Sequence, residues 1–120
     1  MSSRKLLVQL FLNDFKEAAD SDNGILYAGR DKNWDTLVKL GITTAMRDEI
    51  VLGLSFRNYV SGPLKDKNGR SGELWVFGVV EDSKEIYIKL KVFIDKTGKK
   101  AFCLSFHQAE HPLSFPLGRG

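Results

Sequence analysis

Between Glu73 and Gln108 the sequence runs through three β-branched and aromatic stretches, Glu73–Val80, Glu85–Ile94 and Ala101–Gln108, separated only by short polar loops. That pattern is the signature of an antiparallel meander. The middle run alternates without a break. Ile86, Ile88, Leu90, Val92 and Ile94 share one face, and Tyr87, Lys89 and Lys91 share the other. In the third run Phe102, Leu104 and Phe106 alternate with Cys103, Ser105 and His107.

Residues directly opposite in an antiparallel pair share a face, so apolar meets apolar only where position numbers sum to an even value. A three-residue loop Lys96-Thr97-Gly98 meets this condition. It sets Asp95 against Lys99 and puts Gly98 where a left-handed bulge residue is needed. The predicted pairs are then Lys91–Cys103, Lys89–Ser105 and Tyr87–His107 on one face, and Val92–Phe102, Leu90–Leu104 and Ile88–Phe106 on the other. The resulting sheet has an apolar face and a face carrying Tyr87, His107, Lys89 and Lys91 together.

A chain of 120 residues suits one domain with a single core. Its lone cysteine, Cys103, excludes an internal disulfide framework and fits a reducing cytoplasm. The apolar cluster Leu6–Leu12 is broken by Gln9 and followed by no cleavage site, so no signal peptide is expected. No apolar run reaches the roughly 18 residues of a membrane span. Residues 1–55 hold seven basic against eight acidic side chains, and residues 56–120 hold eleven against seven. The sheet half is the basic half, which favours an anionic partner such as nucleic acid.

Ahead of the meander, residues 4–19 read as an amphipathic helix with Leu7, Leu10, Phe11, Phe15 and Ala18 inward, capped by Ser2 or Ser3. Asp20–Gly24 is turn chemistry, and Ile25–Ala28 a short strand at the sheet edge. A second helix starts at Asp31 or Asn33 and runs to Leu40, with Trp34, Leu37 and Val38 on one side and Gly41 as its C-terminal cap. Thr43 or Thr44 caps a third helix near 45–54; Trp34 and Met46 are expected in the core. Arg57–Ser71 reads as a basic loop, with Ser61-Gly62-Pro63 and Lys67–Gly72 as turns. Beyond Gln108, Pro112 and Pro116 exclude a central strand or helix, so the tail is expected to lie extended across the domain, anchored by Leu113 and Phe115. The chain thus divides into a helical half, 1–55, a basic loop and meander, 56–108, and an extended tail, 109–120.

His107-Gln108-Ala109-Glu110-His111 fits the zinc pattern H-x-x-E-H. That chemistry needs both histidines on consecutive turns of a helix, whereas His107 ends a strand and Pro112 turns His111 away from helical geometry. No metal or other cofactor is expected, and Cys103 with His107 does not read as a nucleophile pair. The cross-strand pair Tyr87–His107 beside Lys89 is more informative. A histidine exchanges protons near neutral pH, and a neighbouring lysine stabilises charge developing on a phosphate. A base for the 2′-hydroxyl, a cation for the pentacoordinate phosphate and an acid for the 5′-oxygen suffice to cleave RNA without metal. Tyr87, His107 and Lys89 are the candidate catalytic residues. Lys91, Arg57, Lys65, Lys67 and Arg70 are the candidate RNA-binding residues.

Leu40-Gly41-Ile42, Ile50–Ser55 followed by Tyr59, the strand around Trp75, Tyr87–Leu90 and Leu104-Ser105-Phe106 resemble, in order and spacing, the MqsR (motility quorum-sensing regulator) toxins of bacterial type II toxin–antitoxin systems. The likeness runs from about Ile25 to His107. It implies an α+β, RelE-like fold, a small twisted antiparallel sheet with N-terminal helices packed on one face. It also implies a cytoplasmic messenger-RNA endoribonuclease held inactive by a cognate antitoxin protein. Tyr87 falls on the family's active-site tyrosine. His107 stands where the family pattern carries a lysine, Val60 where it carries another, and Val76 where it carries a glutamine. The second reading, a module that keeps the fold and binds RNA or protein without cleaving, uses the same face.

Overall fold

The structure is a computed structural model that describes residues 3–21, 24–68 and 71–118. The expected cap Ser2, turn residues Asp22 and Asn23, loop residues Gly69 and Arg70, and the Arg119-Gly120 end lie outside the described residues. Helices α1 (Ser3–Ala19), α2 (Asp31–Leu40) and α3 (Thr44–Leu52) precede most of the sheet. The strands are β1 (Ile25–Tyr27), β2 (Tyr59–Leu64), β3 (Leu74–Glu81), β4 (Lys84–Asp95) and β5 (Gly98–Gln108). They form one five-stranded sheet in the order β1-β5-β4-β3-β2. The fold is α+β, with the N-terminal helices against the sheet, as expected. The sheet is mixed rather than antiparallel throughout, because β1 runs parallel to β5. Parallel neighbours need a long crossover connection, and here α2, α3 and three strands lie between β1 and its partner β5. Among the described residues no helix is long and apolar enough to cross a membrane.

One core joins the elements. Ile86, Ile88 and Leu90 of β4, Phe77 of β3, and Ala101, Cys103 and Phe106 of β5 meet Val8, Leu12, Phe15 and Ala18 of α1. The buried stripe of α1 is rotated by about one residue from the predicted one. Leu6, Leu7 and Leu10 face outward, and Phe11 stacks at 5.1 Å on Trp75 at the core's edge. Apolar residues lie nearly all round the first half of this helix, so periodicity could not choose the inner stripe.

Helix α2 buries a polar face. Its inward residues are Asn33, Thr36 and Leu37, while Trp34 is 51% and Val38 84% exposed. The reason is its position. Where β1 ends, α2 continues along the edge of β5, and a sheet edge needs hydrogen-bond partners rather than hydrocarbon. Asn33 Nδ2 donates to the Leu104 carbonyl at 3.2 Å, its Oδ1 accepts from Phe106 N at 3.2 Å, and Thr36 Oγ1 accepts from Gln108 N at 3.0 Å. Gly41 ends the helix in the left-handed conformation, φ 67°, as predicted. Thr43 caps α3 by accepting from Met46 N. Met46, expected in the core, is exposed; Val51 is the buried residue of this helix.

Residues 57–71 are not all loop. Tyr59–Leu64 forms edge strand β2, paired irregularly with β3. Gly62 and Pro63 suggested a turn, but an edge strand leaves one side unpaired and tolerates both.

The β4–β5 register agrees with expectation at one end and departs at the other. Tyr87–His107, Ile88–Phe106 and Lys89–Ser105 are opposed as predicted. A bulge then shifts the rest, giving Leu90–Cys103, Lys91–Phe102, Val92–Ala101 and Asp95–Gly98. The hairpin loop has two residues, Lys96-Thr97, with the Asp95 carboxylate accepting from Thr97 N and Oγ1, each at 2.8 Å. This shorter loop turns Ala101 and Cys103 into the core and Phe102 outward. The extra residue, Leu104, resets the alternation so that Phe106 points inward.

Candidate functional site

On the sheet face opposite α1, Tyr87 and His107 stand side by side. Their rings stack at 5.2 Å with planes 20° apart. Lys89, two residues along β4 on the same face, places its Nζ 5.7 Å from the Tyr87 ring centre. All three predicted catalytic residues line one cleft of about 280 Å³. Its floor includes Ser105 and His107 of β5, both nearly covered.

Two further elements build the walls. From one side come Arg30 and Lys32, at the start of α2. The Asn33 and Thr36 bonds to β5 hold that helix end beside His107, and Arg30 Nη1 lies 3.5 Å from Ser105 Oγ. From the other side comes the strap Ala109–Leu113, which bends at Glu110 and His111 where an extended tail was expected. It is held by Glu85, whose carbonyl accepts from Ala109 N at 2.8 Å and whose carboxylate accepts from Leu113 N at 3.1 Å. Leu113 and Phe115 then lie on Gly78, the residue opposite Tyr87, as predicted for anchors of this tail. A side chain at 78 would collide with them: a Cβ there would sit 2.5 Å from Leu113 Cδ1.

The cleft is electropositive. Arg30, Lys32 and Lys89 line it against a single lining carboxylate, Glu110. Among the described residues none of these three cations makes an ion pair. His107 Nδ1 lies 3.0 Å from the Gln108 carbonyl, which can only accept, so Nδ1 carries the proton and Nε2 keeps its lone pair in the neutral ring. Burial lowers the His107 pKa below its ordinary value; the Gln108 carbonyl opposes this, Lys32 and Arg30 push further down, and Glu110 pulls up. The ring is therefore poised as a neutral base near pH 7.

The predicted RNA-binding residues do not join this cleft. Lys91 is 4% exposed, with its Nζ 2.8 Å from Asp66 Oδ2 and 3.1 Å from the Ser71 carbonyl. It is a structural cation holding the loop after β2 to the sheet, not one presented to a ligand. Lys65 and Lys67 flank Asp66 over that end of the sheet. Lys91 is four residues beyond Tyr87 on β4, a separation of roughly 13 Å. Arg57 lies beyond the strap, over the Phe56 ring and with Nη1 3.4 Å from the Gly118 carbonyl. Arg70 is outside the described residues.

Arg30, Lys32, Ser105 and His111 were not singled out by sequence as site residues. The polar inner face of α2, Asn33 and Thr36, was the available signal, since it marks a helix docked against a strand edge. The H-x-x-E-H pattern runs from β5 into the strap rather than along a helix. Among the described residues no group of three or more His, Cys, Asp or Glu side chains is placed to hold a metal ion. Cys103 lies on the core face, opposite in direction to His107. Its Sγ contacts the Ser105 carbonyl at 3.2 Å, and burial pushes its thiol pKa up to about 12, so it is no thiolate nucleophile.

In comparisons with known proteins the chain matches no family model, no curated protein and no solved structure.

Proposed function

We propose that this chain is an endoribonuclease that cleaves messenger RNA by attack of the 2′-hydroxyl, acting as the toxin of a toxin–antitoxin pair. The observation that carries this reading is the convergence of Tyr87, His107 and Lys89 in one cation-lined cleft. In the proposed reaction His107 Nε2 takes the 2′-hydroxyl proton, and the freed oxygen attacks the adjacent phosphorus. Lys89 offsets the extra negative charge on the pentacoordinate phosphate. Tyr87 donates its phenolic proton as the bond from phosphorus to the 5′-oxygen breaks. The products are a 2′,3′-cyclic phosphate and a 5′-hydroxyl, with His107 left protonated and Tyr87 deprotonated until they exchange protons with water.

The resemblance to the MqsR toxins supports the same reading, because Tyr87 and His107 occupy active-site positions of that pattern. It also makes a cognate antitoxin protein the proposed regulator and the cytoplasm the proposed compartment. Val76 favours a second reading. It is buried directly opposite Lys89, where the family pattern has glutamine. A non-catalytic RNA-binding module fits that loss.

Incubating the purified chain with end-labelled single-stranded RNAs in the presence of a chelator separates the two. Discrete cuts leaving 5′-hydroxyl ends are expected. Absence of cuts, together with normal bacterial growth on induced expression of the chain alone, overturns the nuclease reading and leaves the binding module.

A further inference from the structure

We propose that Arg30 and Lys32, with Lys89 across the cleft, clamp a backbone phosphate of single-stranded nucleic acid, so that the strand crosses the start of α2 rather than the loop after β2. The inference rests on the nucleic-acid reading of the cleft but not on its catalytic chemistry.

Ser105 fixes the geometry. Arg30 Nη1 is 3.5 Å from its hydroxyl, and Lys89 stands directly opposite it on β4. Two cations are therefore brought to either side of one hydroxyl, with Lys32 nearby. No carboxylate is paired with any of the three among the described residues. Like charges gathered this way repel unless an anion lies between them. A phosphodiester supplies that charge, with oxygens for the planar guanidinium fork of Arg30 and for the Ser105 hydroxyl. The cleft encloses about 280 Å³.

The alternative basic track is closed to this role at its centre. Lys91 is held by Asp66, and Lys65 and Lys67 lie on the turn that covers it. Basic residues at the start of α2 belong to the half of the chain without a basic surplus. Only the docking of α2 on the edge of β5, through Asn33 and Thr36, brings them to the site.

The test is binding of a fluorescent six-nucleotide single-stranded DNA, which lacks the 2′-hydroxyl and cannot be cut by this route. Affinity is measured over a range of salt for the wild-type chain, for Arg30→Ala/Lys32→Ala and for Lys65→Ala/Lys67→Ala, with circular dichroism confirming each fold. The clamp variant should bind at least tenfold more weakly. Its plot of log affinity against log salt should be shallower by roughly 0.7 for each phosphate that the variant no longer neutralises. Arg30→Lys should recover part of the affinity, and the loop variant should stay within about twofold of wild type. No binding by the wild type, a folded clamp variant that binds like wild type, or an equal loss in the loop variant overturns the proposal. A chain that binds in this way, yet cuts no RNA and leaves bacterial growth normal on induced expression, keeps the clamp and loses the nuclease. A chain that cuts RNA at the wild-type rate without Arg30 and Lys32 keeps the nuclease and loses the clamp.

Discussion

The Tyr87 and His107 rings lie stacked 5.2 Å apart on adjacent strands, one the proposed proton donor and the other the proposed acceptor. Their pairing is set by backbone register, and their environment is set by α2 and the strap. If they work as acid and base, Tyr87→Phe and His107→Gln should each slow cleavage at least tenfold while retaining the far-ultraviolet circular dichroism of the wild type. General acid–base groups typically contribute about 10²–10⁴-fold. Wild-type rates in both variants would remove them from the reaction.

The pH profile offers a separate check. His107 faces Arg30 and Lys32 from α2, Tyr87 and Lys89 from β4, and Glu110 and His111 from the strap. Burial is the main reason its pKa falls below the ordinary 6.5. A base must be neutral, so the rate of cleavage should rise with pH through a midpoint below 6.5. Stability should follow the same sign. The unfolded chain binds this proton more readily than the folded one, so the contribution from His107 is full above 6.5 and is lost as pH falls toward the folded pKa. His107→Gln should abolish that part of the dependence in both measurements. A rate midpoint above 6.5 would exclude His107 as the base.

The Lys91–Asp66 pair should matter for stability rather than chemistry. Both side chains are nearly covered, 6% and 10% exposed at a separation of 2.8 Å. Removing one partner strands a buried charge, so Asp66→Ala should cost about 3–5 kcal/mol in urea unfolding. Lys91→Met, which removes the charge and keeps the volume, should cost less. Cleavage by folded Lys91→Met should stay close to wild type; a tenfold loss would return Lys91 to the site.

Asn33 links the fold to the cleft. Its side chain bonds the carbonyls of Ala28 and Leu104 and the amide of Phe106. Asn33→Ala takes this partner from the Leu104 carbonyl and the Phe106 amide, at about 1–3 kcal/mol each if no water replaces the bond, while the Ala28 carbonyl still accepts from Arg30 N. The expected result is a drop of about 2 kcal/mol or more in chemical denaturation. Affinity for the single-stranded oligonucleotide should fall too, since α2 would no longer hold Arg30 over Ser105. Unchanged stability would show that the edge of β5 is satisfied by other means.

Alternation and local chemistry were enough to place β3, β4 and β5, the Gly41 cap, and the pairing of Tyr87 with His107, and to narrow the α3 cap to Thr43 or Thr44. Each depends on a period of two or on the conformational preference of a single residue, and such properties are carried by neighbours in the chain. The inner stripe of α1 was not decided in this way, because several stripes of that helix are apolar and only the sheet beneath selects one. Nor was the shift between Leu90–Cys103 and Lys89–Ser105. A two-residue loop and a bulge at Leu104 alter parity twice, and the choice depends on which side chains fit beneath α1. Trp34 and Val38 have the pattern of core residues, yet Asn33 and Thr36 are buried in their place, because the helix meets a strand edge whose amides and carbonyls need partners. Lys91 and Lys89 are equivalent in the alternating pattern. The folded chain gives one a buried carboxylate and leaves the other in the cleft. Local pattern was sufficient to say which side chains share the polar face of this sheet around Tyr87 and His107. Which of them share a cleft was settled by long-range contacts, since Arg30 and Lys32 reach His107 only across a distance in the chain that no local pattern spans.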